Sequence, residues 1–405
     1  MTQTQCSTPS PSLPNERRSN VRVASIDVMR SITMLLMLFV NDIPGLKGVP
    51  HWMFHAAHDE DMLGFSDTIF PAFLFCVGLS IPFAIDHRLS RGDSQFQVLG
   101  HIFRRTFALL AMGLFTLNGE RGAGGIDHKC YSLLMVAGLF LVWMDYARNW
   151  NRWFVRLLQA VGAAILVGLI LYSDIHGQPF RFGWWGILGL IGWTYMVCAL
   201  AYLLARRSLC GVLVAWIAGV LLCVVSNSSL IPHDWFSRIV LLPFVPAGWT
   251  GHALGLSGMA AAMLMRQESL RRGHRLLGLF VLLGLVMLAL GIVTHQHWII
   301  SKIQATPPWL FFCTTIFFPM LALLYWLVDV RGKASWFSLI APAGTATLTC
   351  YLLPYAWYPL RSMLGFHFPW SWYHGMPGLL LSLGYALIVV QAVRLLLRLH
   401  VKVKV

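Results

Sequence analysis

The segment HWMFHAAHDED sets His51, His55 and His58 beside Asp59, Glu60 and Asp61. An imidazole next to a carboxylate can act as a general base near neutrality, because an unperturbed histidine titrates at about 6.5. The same residue types can ligate a metal. No HExxH order is present, however, and the eight cysteines form no CxxC pair, so no metal is expected. Other polar groups sit inside apolar runs, where an ionisable side chain costs on the order of 2.5–3.5 kcal/mol and needs a partner or a wet cavity. In SIDVMRSITMLLMLFVND, Asp27 and Arg30 stand three residues apart on one helical face and can pair, while Asn41 closes the run as a helix-end residue. Asp67 opens the next run, where a carboxylate can cap free backbone N–H groups. Arg104 and Arg105 begin a third run, and basic residues at such an end commonly anchor it by snorkelling.

These groups must be positioned by an unusual chain. Of its 405 residues 57% are hydrophobic and only 11% are charged, against roughly 25% charged in soluble domains, so lipid must be the solvent for most of it. The apolar runs are continuous and too long for barrel strands. About 20 apolar residues make one helical span, and that rule gives about twelve spans, with 10–12 admissible. Their limits are near 24–43, 66–86, 98–118, 131–147, 154–173, 184–205, 208–227, 239–265, 275–294, 308–329, 337–360 and 375–397. The fold class is therefore an all-α, polytopic membrane bundle in one domain, 23–398. It is flanked by a polar, disordered tail at 1–22, which lacks the apolar stretch of a signal peptide, and by a short tail at 399–405.

Net charge is +14, but Lys and Arg cluster between alternate runs. That is an orientation signal that puts both tails in the cytoplasm, and it makes nucleic acid an unexpected partner. The outer segments HWMFHAAHDED, SSLIPHDWF, THQHWIISKIQATPPW and GFHFPWSWYHG hold most of the histidines and many tryptophans.

Residue order then adds a resemblance. Ser25, Asp27, Arg30, Asn41, His55-Ala56, Asp67, Phe70-Pro71 and Gly78 match, in order and spacing, the pattern of the heparan-α-glucosaminide N-acetyltransferase family, most closely its bacterial inner-membrane members. The matched stretch is about 60 residues, and WWGILGLIGW and APAGTATLTCYLLPY extend the likeness weakly. Ser31 replaces the family's usual Gly, the interval from His55 to Asp67 is longer by two residues than in the lysosomal enzymes, and helices near 184–205 and 208–227 lack a clear counterpart.

The resemblance implies transfer of acetyl from cytoplasmic acetyl-CoA to the amine of an amino sugar or glycan across a bacterial inner membrane. It assigns catalysis to His55 and Asn41, with Asp67, Asp27 and Arg30 in support. Coenzyme A also needs cations at the inner helix ends, for which Arg104 and Arg105 are the candidates. A local helix would bring His51 and His58 to the face of His55, where they could assist acceptor binding. Lipid, acetyl-CoA and the acceptor are the expected partners, and a homodimer is kept open as the assembly. The competing reading is a secondary transporter of a sugar or amino acid, which intramembrane Asp, Arg and Asn would also suit.

Overall fold

The computed structural model describes residues 23–121, 127–147, 149–175, 180–183, 186–228, 249–271 and 274–405. The expected tail at 1–22, most of the outer segment SSLIPHDWF and the first part of the eighth expected span lie outside them. In lipid a backbone has no water to bond, so apolar runs satisfy themselves as helices. Each expected run contains one: α1 Ala24–Asp42, α2 Phe65–Ser90, α3 Gln95–Arg121, α4 His128–Trp143, α5 Arg152–Ile175, α6 Ile187–Leu204, α7 Leu209–Asn227, α8 Thr250–Met265, α9 Arg275–His295, α10 Pro307–Leu324, α11 Thr347–Met363 and α12 Gly375–Arg398. Among the described residues, nine helices are long and apolar enough to cross a membrane. The protein is an all-α, polytopic membrane protein.

The three helices outside that set are α4, α8 and α11, with 16, 16 and 17 residues. The expected span at 337–360 is not continuous. A 3₁₀ turn Ala334–Phe337 and a short helix Ala341–Thr345 precede α11, and Ala346 leaves the helical region at φ −131°, ψ 48°. The cause is packing: Gly344 lies on α1 against the Asp27 carbonyl and the Ser31 hydroxyl, with no room for a side chain. Ser31, which replaces the motif glycine, turns its hydroxyl onto the Asp27 carbonyl at 2.8 Å.

The bundle is built around α1, α2 and α8. From His252 to Met265 every residue of α8 is buried. A Cβ on Gly78 would collide with the Gly255 carbonyl, and one on Gly258 with the Phe75 carbonyl. Close backbone approach through small residues is how helices gain packing energy in lipid, which accounts for the glycine at 78. The start of α1 is capped from a distance. Asp329, at the π-helical end of α10, accepts the Ala24 and Ser25 N–H groups at 2.9 and 3.1 Å. By contrast α5 exposes Leu157, Val161, Val167 and Leu171, an apolar stripe suited to lipid.

Candidate active site

The connection from α1 to α2 carries His55. Pro50 starts a 3₁₀ turn at His51–Met53, Phe54 is extended, and the chain turns again at His58 and Asp59. The expected local helix through the three histidines does not form. Its backbone donors are used otherwise: Ala56 N–H goes to Asp67 Oδ2 and Ala57 N–H to Glu60 Oε2, both at 2.9 Å. His51 pairs with Glu60 at 2.6 Å and His58 with Asp59, so each neighbour of His55 has its own carboxylate. The Ala57 N–H, and then His51, hold the Glu60 carboxyl below its ordinary range.

His55 Nδ1 lies 2.7 Å from Asp67 Oδ1. Asp67 sits in the first turn of α2, and its side chain is 1% exposed whereas that of His55 is 41% exposed. It does not cap its own helix, because Gly64 is the N-cap and no side-chain cap bond forms there. The carboxylate points instead to the loop, and Trp309 donates its indole N–H to the Asp67 carbonyl at 3.1 Å. An ionised carboxylate only accepts, so Nδ1 carries the proton and the lone pair is left on Nε2. Lys302 completes the group, with Nζ 3.7 Å from Asp67 Oδ1 and 3.2 Å from His55 Nδ1. In this tautomer its productive partner is the carboxylate. Burial pushes the Lys302 ammonium below the ordinary lysine value, against the pull of Asp67.

Two loops distant in sequence are clamped together here. Asp61 accepts the Ile300 N–H and faces His295 Nε2, each at 2.8 Å, and Gln304 donates to the His58 carbonyl at 2.9 Å. The Ile300 N–H is the main cause of a lowered Asp61 pKa. Sequence reasoning missed Lys302, Trp309 and the Asp61–His295 pair. The one available signal was that Lys302 is among the few cations on the expected outer side.

Asn41 is exposed at the end of α1, and its side chain makes no hydrogen bond among the described residues. Its neighbour Asp42 accepts from the Tyr358 hydroxyl at 2.6 Å. Asp27 and Arg30 lie at the opposite end of α1, 3.4 Å apart, and Arg30 also donates to Ser80 Oγ at 2.6 Å. They line a cavity of about 440 Å³, together with Met34, Met37, Arg105 and residues 402–405. His55 is not among its lining residues.

The two expected arginines part company. Arg105 is half-buried, with its guanidinium 4.6 Å from the Tyr195 ring centre and its buried Nε without a hydrogen-bond partner among the described residues. Arg104 is exposed, bonds the Gly100 carbonyl and does not line the cavity. Successive helical residues turn by about 100°, so positions 27, 30, 34, 37 and 41 share one face of α1. Asn41 therefore continues the lined face one turn beyond Met37. No cluster of three or more His, Cys, Asp or Glu suited to a metal occurs among the described residues.

Known proteins match parts of this chain. A family model described as a domain of unknown function, DUF5009, covers residues 22–250. Heparan-alpha-glucosaminide N-acetyltransferase from Homo sapiens is 38% identical over 98 residues, which is 24% of this chain and 14% of that protein. The Mus musculus protein of the same name is 35% identical over 107 residues, or 26% of this chain and 15% of the relative. The chain thus spans about one seventh of the length of the curated relatives it matches. It belongs to the DUF5009 family, and its likeness to heparan-α-glucosaminide N-acetyltransferase, read first from the motif residues, holds over about a quarter of its length.

Proposed function

We propose that this chain is a membrane acetyltransferase that takes acetyl from cytoplasmic acetyl-CoA and delivers it to the amine of an amino sugar on the periplasmic side of a bacterial inner membrane. The observation that carries the proposal is the 2.7 Å contact of His55 Nδ1 with the buried carboxylate of Asp67. That contact leaves Nε2 as the basic atom. Nε2 takes a proton from the acceptor's ammonium, the freed amine attacks the thioester carbonyl, a C–N bond forms and the C–S bond breaks. The imidazole passes that first proton to the departing thiolate, and the acylated nitrogen loses its second proton to water, leaving the N-acetyl sugar, the free thiol and one released proton. The Asn41 amide, without a side-chain partner among the described residues, can donate to the oxyanion that develops on the carbonyl. Arg30 and Arg105, in the cavity at the other end of the same α1 face, supply positive charge for the donor.

The test is incubation of purified protein in detergent with acetyl-CoA and glucosamine-type acceptors, followed by mass spectrometry. The proposal expects an N-acetylated sugar and free thiol in equal amounts. Uptake of an unmodified sugar into proteoliposomes, with no thioester consumed, would instead make the protein a transporter.

A further inference from the structure

Residues 401–405 read VKVKV, the alternation of a strand rather than of a solvated tail. They fold back onto the bundle. Val403 pairs with Met144 in an antiparallel bridge, Asp145 N–H donates to the Lys402 carbonyl at 2.8 Å, and Lys404 N–H donates to the Trp143 carbonyl at 2.9 Å. The Val403 N–H donates to Thr349 Oγ1 at 3.1 Å, and the Val403 side chain is 2% exposed. The segment is thus a strap fastened between the end of α4 and α11, and residues 402–405 form part of the cavity wall.

Charge in that cavity is lopsided. Its charged side chains are Arg30, Arg105, Lys402 and Lys404 against the carboxylate of Asp27. Arg30 is committed to Asp27, Ser80 and the Gly344 carbonyl. Lys404 reaches Asp145 at 3.2 Å, but both side chains are largely exposed and can exchange partners. The Arg105 Nε is buried without a partner among the described residues. A buried donor left open is costly unless a ligand fills it. Met34, Met37, Phe73 and Leu109 also line the cavity, so it can accept an apolar arm beside the cations.

We propose that Lys402 and Lys404, mounted on this strap, bind phosphate groups of the donor, with Arg105 as the third cation. The inference rests on reading the cavity as the donor site. Anionic lipid headgroups offer the same phosphate chemistry, so the test separates the two sources. Wild-type protein in detergent is treated with an amine-acylating reagent, and labelling at each lysine is read by mass spectrometry. The treatment is repeated with coenzyme A, with phosphate-free pantetheine, and with phosphatidylglycerol in mixed micelles. Coenzyme A should abolish labelling of Lys402 and Lys404 while exposed Lys333 labels as before, and pantetheine should protect neither.

A folded Lys402→Gln/Lys404→Gln variant should bind coenzyme A at least about tenfold more weakly, the loss of charge-assisted bonds, with pantetheine binding unchanged. If coenzyme A binds yet leaves both lysines fully reactive, or if only the lipid protects them, the strap assignment is overturned and the donor reading stands. If wild-type protein binds no coenzyme A, both fall together.

Discussion

At the His55 end of the bundle the charged and imidazole side chains hold one another: His51 with Glu60, His55 with Asp67, His58 with Asp59, and His295 with Asp61. At the cavity end Arg105 Nε lies buried with no partner among the described residues, and the side chains of Arg30, Arg105, Lys402 and Lys404 face the carboxylate of Asp27. In the proposed reaction the two ends would do different work. A proton acceptor needs a fixed tautomer and orientation, which come from a network with its members already paired. A binding site for an anion needs donors that are still open. The first kind of site loses function when a partner is deleted, whereas the second loses affinity when a charge is deleted.

The sharpest way to break this contrast is at His55. His55→Ala should reduce transfer by roughly 10²–10⁴-fold, the usual contribution of a general base, with donor affinity and folding intact. His51→Ala and His58→Ala should keep most activity, since neither bonds to His55. Activity should also fall on acidification, because an imidazolium cannot accept the amine's proton. A somewhat smaller loss, about 10²-fold or more, is expected for Asp67→Asn. Its amide can donate to Nδ1 and so move the proton to Nε2. Rescue of that variant at high pH would argue against a tautomer effect.

Asn41→Ala should lower turnover by about 10²-fold, the lower end for a lost oxyanion donor, and leave donor binding unchanged. At the cavity end the arginine pair gives an internal control. Arg105→Gln should weaken acetyl-CoA binding about tenfold, and Arg104→Gln should barely change it. Equal effects at the two positions would remove the cavity from the account.

The smallest effect concerns the loop clamp. The folded Asp61 pKa is lowered, chiefly by the Ile300 N–H. A depressed carboxylate stabilises the fold above its unfolded value, about 3.9, and that stability is lost as pH falls through the lower folded value. Hydrogen exchange at Ile300 should therefore accelerate below about pH 4, and Asp61→Asn should make it fast at neutral pH as well.

Much of the fold was legible because lipid leaves the backbone little choice, and each apolar run contains a helix. What the runs could not show was the break before α11, which depends on Gly344 meeting Ser31 of a helix more than 300 residues away. The site divided the same way. His55, Asp67 and Asn41 were marked by order and spacing within one stretch, but the direction of the Asp67 carboxylate was not, because a local cap and a loop contact have the same sequence signature. Lys302 reaches the His55–Asp67 pair, and the strap lysines reach the cavity wall, only through tertiary packing. The strap's alternating valines and lysines were visible at 401–405, yet without a partner strand in the sequence they read as a tail.

The central claim is that a donor entering at one end reacts through His55 at the other. It is tested most directly in proteoliposomes loaded with acetyl-CoA, with glucosamine supplied outside and both compartments analysed by mass spectrometry. The account predicts N-acetylglucosamine outside, free coenzyme A inside, and neither with the His55→Ala protein. Equal product from His55→Ala, or glucosamine carried inward unmodified, would contradict it.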